Sequence, residues 1–323
     1  MSYSRRDMGR IALAALPVAA HAATTGSNFG GVQIGVIAPY SFRGLDGDAD
    51  SLLANITKLG LSAVEMQSEP VEAYAGAPSM ARRGGGPRGA GRRELTPEQR
   101  AEFEAARQAA AKKTTAWRLS ASMDNYKELR AKYNAAGVEI QLVKFRLGAE
   151  MSDDEIDYCF QVAKTLGCRG ITCEPPLSET KKLGSFAEKH KMMLGYHGHS
   201  DVTSVERFGR PGAWEQAFFY SGYNGANIDI GHFTAGNSKS PIDFIKQYHQ
   251  RITNIHLKDR KIDQGPNMPW GEGDTQIKEV LQLMQKENYP FMATIELEYP
   301  IPEGSDVMTE LGKCVQYCKD ALA

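Results

Sequence analysis

Five short β-branched runs end in side chains that can bind a cation or move a proton. They are Glu174 in ITCEPP, His197 and His199 in MMLGYHGH, Asp229 and His232 in ANIDIGH, His256 and Lys258 in ITNIHLKD, and Glu296 and Glu298 in MATIELE. Alternate residues of a strand face the same side. That puts Gly195 in phase with His197 and His199, Asn227 with Asp229, Asn254 with His256 and Lys258, and Thr294 with Glu296 and Glu298. In each run the polar residues share one phase and Val, Ile or Leu the other. A polar phase pointing into one shared mouth is the simplest account. Gathering so many charges without compensation costs several kcal/mol apiece, and a divalent cation supplies the compensation, since carboxylate and imidazole together make a transition-metal ligand set. The residues therefore predict a metal-dependent enzyme.

The elements that would hold these residues recur along the chain. Strands are predicted at Val32–Ala38, Leu61–Met66, Val138–Lys144, Arg169–Cys173, Met192–His197, Ala226–Ile230, Ile252–Leu257 and Met292–Leu297, from runs of Val, Ile and Leu between turn residues. Apolar residues at i, i+3, i+4 spacing predict helices over Asp153–Leu166, Ile242–His249, Ile277–Glu287 and Met308–Leu322. Ser152 starts the first of these and Gly167 stops it. Regular alternation of this kind is the pattern of a (β/α)8 TIM barrel, whose parallel strands deliver their last side chains to one face. The 323 residues, 41% of them hydrophobic, suit one such domain. One interval breaks the rhythm: 71 residues lie between Met66 and Val138. This insertion between strands two and three, about residues 75–118, contains an Arg/Gly-rich stretch at 80–93 with too little apolar surface to fold alone. Thr96-Pro97-Glu98 then opens a charged helix running to about Ala116. The insert is either a surface excursion or a lid over the mouth, with RNA binding by the Arg/Gly run a third reading.

From about Val138 onward the chain resembles the xylose isomerase-like barrel family of sugar phosphate isomerases, epimerases and inosose dehydratases. The matching stretches are GYHGHSD, NIDIGHFTAG, ITNIHLKD, WGEGDTQIKEVLQLM and TIELE. The resemblance implies a divalent metal held by Asp229, His256 and Glu296, with a fourth carboxylate from the middle strands. Many members place Glu at the end of strand five, where this chain has His197. Glu174 at the end of strand four is then the expected fourth ligand, as in inosose dehydratase-like members, and His197 the alternative ligand or a substrate contact. Manganese is the leading occupant, with zinc, cobalt, iron or magnesium as others. His197, His199, Glu174 and Glu296 are the candidate catalytic groups. Glu65, Lys144, His232, Lys258 and Arg260 are the candidates for orienting substrate hydroxyls, a structural salt bridge being the competing role for Glu65 and Lys144. A metal on a carbonyl oxygen and a neighbouring hydroxyl stabilises the enediolate left when the proton between them is removed. Proton return then gives epimerisation or isomerisation, and loss of a β-group gives elimination.

The N-terminus narrows the substrate. Ser4-Arg5-Arg6-Asp7-Met8, the apolar run from Ile11 to Ala20 and the small residues Ala20-His21-Ala22 resemble a cleavable twin-arginine export signal over residues 1–22. The apolar run is too short to span a bilayer. The mature chain is then expected in the periplasm, free of the membrane, which favours an unphosphorylated sugar, keto-sugar or glycoside and tilts the reading towards elimination or hydration over aldose–ketose isomerisation. Its formal charge changes from −1 to −3, with 35 basic against 38 acidic groups, and offers no surface for a nucleic acid duplex. An endonuclease of the related barrel type and a non-catalytic sugar-binding barrel are the competing readings; a homo-oligomer is compatible with all three. Five cysteines, an odd number, are read chiefly as small buried hydrophobes.

Overall fold

The protein is described by a computed structural model that covers residues 26–78 and 96–323. The expected export signal and the Arg/Gly-rich stretch lie outside those residues.

Eight parallel strands form the closed barrel: β1 (Val32–Ala38), β2 (Ala63–Gln67), β3 (Glu139–Lys144), β4 (Gly170–Cys173), β5 (Met193–His197), β6 (Asn224–Asp229), β7 (Ile252–Leu257) and β8 (Met292–Ile295). Each pairs with the next, and β1 closes the ring on β8 with Ile34 opposite Ala293 and Val36 opposite Ile295. A two-residue strand, Asn28–Phe29, adds antiparallel to β1. Period-two alternation sorts the side chains into two layers. Ile34, Val36, Ile171, Leu194, Ile228, Ile255 and Ile295 are fully buried in the apolar core. Asn227, Asn254, His256 and Thr294 belong to the other phase, equally buried but polar. TIM-barrel interiors are usually filled by branched apolar residues; much of this one is hydrogen-bonded and charged.

Local sequence fixes the helices that flank the strands. Ser152 and Glu155 form a reciprocal capping box at the start of Asp153–Leu166, and Gly167 ends that helix with φ +80°. Asp306 caps Val307–Ala321, which carries two of the five cysteines; all five are buried and free. The apolar run of β6 continues past the strand, because Ile230 opens the helix Ile230–Asn237. Asp229 is the N-cap of that helix and accepts from the His232 backbone N–H at 2.7 Å.

The described part of the insert is the helix Pro97–Arg118, almost wholly exposed, with Thr114 its one buried residue. It is held by its last turn. Arg118 grips Glu72 with two nitrogens at 2.8 and 3.1 Å, Thr115 donates to Glu155 at 2.8 Å, and Trp117 packs edge-on against Tyr158. Those anchors sit on the helices that follow β2 and β3, so the last turn of this helix packs against the outer helix layer.

Candidate metal centre and pocket

At the C-terminal end of the barrel, ligand atoms of His197, Asp229, His256 and Glu296 lie within 4.8 Å of one another, all four residues buried. Strand register produces the cluster: Asp229 is opposite His256 on β7, while His197 closes β5 beside Asn227. Glu296 follows β8 directly, its backbone N–H bonded to the Leu257 carbonyl. Three of the four ligands implied by resemblance are therefore brought together, with His197 in the place given to Glu174. Glu174, directly after β4, stands outside this group, partly exposed on the rim. There it pairs with the Lys144 ammonium and with His199 Nε2 at 3.1 Å.

The same cluster contains its own cation. Lys258, 2% exposed, points its Nζ at Glu298 (2.5 Å), Asp229 (2.8 Å) and Glu296 (3.2 Å). Gly231 makes room for it, since a Cβ there would stand 2.7 Å from the Lys258 carbonyl oxygen and 2.9 Å from its Cγ. Tyr40, just after β1, donates to Glu298 at 2.5 Å. Tyr40 and Glu298 complete the charged mouth; Glu298 was marked by its strand end without an assigned role, and Tyr40 was not among the candidate residues. Glu298 shares the phase of Glu296, which is a readable signal; for Tyr40 there is only its place after a strand end.

Beneath the cluster His256 is held at both ring nitrogens, Nδ1 2.7 Å from Glu296 and Nε2 2.6 Å from Glu65. Of the two roles open to Glu65, orienting substrate or a structural salt bridge, the geometry matches the second. The residue is fully buried inside the barrel, where Thr172 (2.5 Å), Asn254 (2.7 Å) and Asn227 (3.4 Å) also donate to it. Arg260 is likewise committed to the protein, donating to His232 Nδ1 at 2.7 Å, Ser200 Oγ at 3.0 Å and the Gly265 carbonyl at 2.6 Å. His232 in turn meets Lys258 Nζ through Nε2 at 3.0 Å.

The electrostatics follow from this packing. Burial alone would lower His256, but the charges of Glu65 and Glu296 outweigh it and raise it to about 10. Glu296 is held well below the carboxylate range, because Lys258 and His256 overcome its desolvation. Asp229 moves the other way, raised by burial and by Glu296 against the pull of Lys258. His197 is driven well below 6.5 by burial and then by the charges of Lys144 and His256, so it is a neutral imidazole. Its Nδ1 is buried without a hydrogen-bond partner among the described residues. A neutral ring with a free nitrogen, beside two carboxylates and a second imidazole, has the donor chemistry of a transition-metal site. The residues fit a divalent ion.

Over this cluster opens a pocket of about 270 Å³ lined by Glu174, Pro175, Pro176, His197, His199, Ser204, Glu206, Arg207 and Phe208. Glu174 and His199 face it half-exposed. Glu174 is kept ionised far below its ordinary range by the His199 hydrogen bond and the Lys144 ammonium.

No protein-family model matches the chain, and no curated protein matches it in sequence. Solved structures do match in shape. The probable 3-DHS dehydratase AsbF of Bacillus anthracis aligns at 10% identity over 88% of this chain and 98% of its own, with a TM-score of 0.59. The 3-keto-D-glucoside 4-epimerase YcjR of E. coli aligns at 8% identity over 90% and 99%, also at 0.59. The IOLI protein, whose structure holds a zinc atom, aligns at 13% over 90% and 99%, at 0.56. The fold is that of the xylose isomerase-like barrels. At such identities the likeness is one of fold.

Proposed function

We propose that this protein is a divalent-metal-dependent enzyme acting on a small uncharged sugar, keto-sugar or glycoside by removing a proton next to a carbonyl, with elimination or hydration favoured over aldose–ketose isomerisation. The observation that carries the reading is the His199–Glu174 pair, 3.1 Å apart and open to the pocket, directly above a buried group of two imidazoles and two carboxylates. His197, Asp229, His256 and Glu296 would hold the ion; the set suits manganese, zinc, cobalt or iron better than calcium. When bound, such an ion polarises a carbonyl and makes the adjacent C–H more acidic.

The chain's own residues supply the rest. His199 takes or returns the proton at Nε2, and Glu174 holds the ring in place and stabilises its charged form. Lys144 fixes Glu174 from the barrel side. His232, braced by Arg260 and Lys258, presents a second neutral imidazole, its protonation suppressed by burial and by Lys258. Phe208 and Pro175 give the pocket apolar walls that a sugar's C–H faces can pack against. An unphosphorylated substrate follows from the expected export and not from the lining, which carries both carboxylates, Glu174 and Glu206, and a guanidinium, Arg207. The dehydratase and the 3-keto-glucoside epimerase among the structural neighbours support this class of chemistry without choosing within it.

The test combines metal analysis of the purified protein with incubation of keto-sugars carrying deuterium α to the carbonyl. Metal-dependent release of the label into water is expected, with His199→Ala slowing it while metal content is unchanged. Turnover with full retention of label, or turnover in the metal-free protein, overturns the proposal.

A further inference from the structure

We infer that Glu65, inside the barrel, is the positioning residue that sets which nitrogen of His256 faces the metal cage. The inference deepens the proposed function and rests on its metal reading. Glu65 is fully buried, and its hydrogen-bond neighbours all have a hydrogen to give: the Thr172 hydroxyl at 2.5 Å and the Asn227 amide at 3.4 Å on one oxygen, the Asn254 amide at 2.7 Å and His256 Nε2 at 2.6 Å on the other, with the Asn227 amide also 3.2 Å from Nε2. A carboxylate so surrounded accepts from all of them, so Nε2 of His256 carries a hydrogen directed at Glu65. A ring whose Nε2–H is committed downward offers Nδ1 upward. Nδ1 is the nitrogen that faces the cage, 2.7 Å from Glu296.

The support extends around the barrel. Thr172 comes from β4, Asn254 and His256 from β7, and Glu65 itself from β2, so strands on opposite sides of the ring meet at one carboxylate. Asn254 is braced by the Thr294 hydroxyl at 3.0 Å. A histidine ligand whose distal N–H is held by a carboxylate binds its metal more tightly, and loss of such a partner costs about 10–100-fold in affinity. This gives a role to a buried acid that touches neither substrate nor metal.

Glu65→Gln tests the inference, because the amide keeps the shape but places an NH2 among donors. Calorimetric zinc titration should show affinity falling by about 10–100-fold against wild type. Histidine-15N NMR of the zinc-loaded wild type should show His256 with a protonated Nε2 and zinc on Nδ1; in Glu65→Gln that slowly exchanging proton should be lost. Unchanged zinc affinity in the folded variant, or zinc on Nε2 in wild type, overturns the inference and leaves the metal reading intact. Absence of zinc uptake by wild type overturns both. If Glu65→Gln does not fold, the wild-type spectrum decides alone.

Discussion

Replacing Lys258 by Met should make the stability of the protein depend on metal. In the metal-free chain the Lys258 ammonium is the near cation for three carboxylates, at 2.5 Å from Glu298, 2.8 Å from Asp229 and 3.2 Å from Glu296. Asp229 and Glu296 are almost wholly enclosed. Removing one member of a buried ion pair costs about 3–5 kcal/mol, because the partner is left charged and dry. At about 2 °C per kcal/mol for a chain of this length, the melting point in chelator should fall by about 6–10 °C. A divalent ion supplies charge to the same carboxylates, and at a hundredfold excess over its Kd it returns about 2.7 kcal/mol. Manganese should therefore recover much of the loss in Lys258→Met and raise the melting point more than it does in wild type. Calorimetric melting of both proteins, in EDTA and in manganese, measures all four values. A metal-free Lys258→Met protein as stable as wild type would refute the reasoning, since the three carboxylates would then not depend on that ammonium.

Glu296→Gln should remove metal binding and activity while far-UV circular dichroism stays native, because the amide keeps the shape and loses the charge that meets His256 and Lys258. The metal-free protein should also lose stability with rising pH. His256 is raised to about 10 from an unfolded value near 6.5, so its contribution is full below about pH 6.5 and lost as pH climbs towards 10, by at most about 1.4 kcal/mol per unit. Urea denaturation in EDTA at pH 6, 8 and 9.5 reads the slope, and metal should flatten it by displacing the proton on Nδ1. Changing both Arg5 and Arg6 to Lys should hold the protein in the cytoplasmic fraction, as a twin-arginine signal requires; undiminished export would count against that signal.

Much of the barrel was legible because its strands follow simple rules. Val32–Ala38 and Ile252–Leu257 run between the residues that the apolar pattern marks. Phase was legible as well: the polar residues read by alternation meet inside the barrel or at its mouth, His199 alone of the Gly195–His197–His199 set reaching the pocket half-exposed. Depth was not. Glu65, Glu174 and His197 are all polar residues on or beside strands. Glu65 lies in the middle of β2 and sinks beneath the cage, His197 is the last residue of β5 and joins it, and Glu174 falls one residue beyond β4 on the rim. Glu296 also falls one residue beyond its strand, β8, yet joins the cage, so depth depends on the neighbouring strands and not on position along the sequence. The end of β6 illustrates the point, for Ile230 continues the apolar run yet leaves the sheet because Asp229 caps a helix.

The polar residues form a continuous chain of donors and acceptors from barrel centre to mouth. Asn254 donates to Glu65, His256 bridges Glu65 and Glu296, Lys258 bridges Glu296 and Glu298, and Tyr40 donates to Glu298, with neighbouring distances between 2.5 and 3.2 Å. Negative and positive charges alternate along it, so each buried charge is tolerated because of the next. A barrel filled with Val and Leu would avoid this desolvation cost, and buried ion pairs seldom return more than apolar packing would. The arrangement makes physical sense if its return is taken in function. The price is local dependence: a change of charge at Glu298 alters the field on Lys258, then on Glu296, and so on the cage itself. Substitutions along this column should therefore couple strongly to one another, whereas those in the outer layer of Ile and Val should act independently of them.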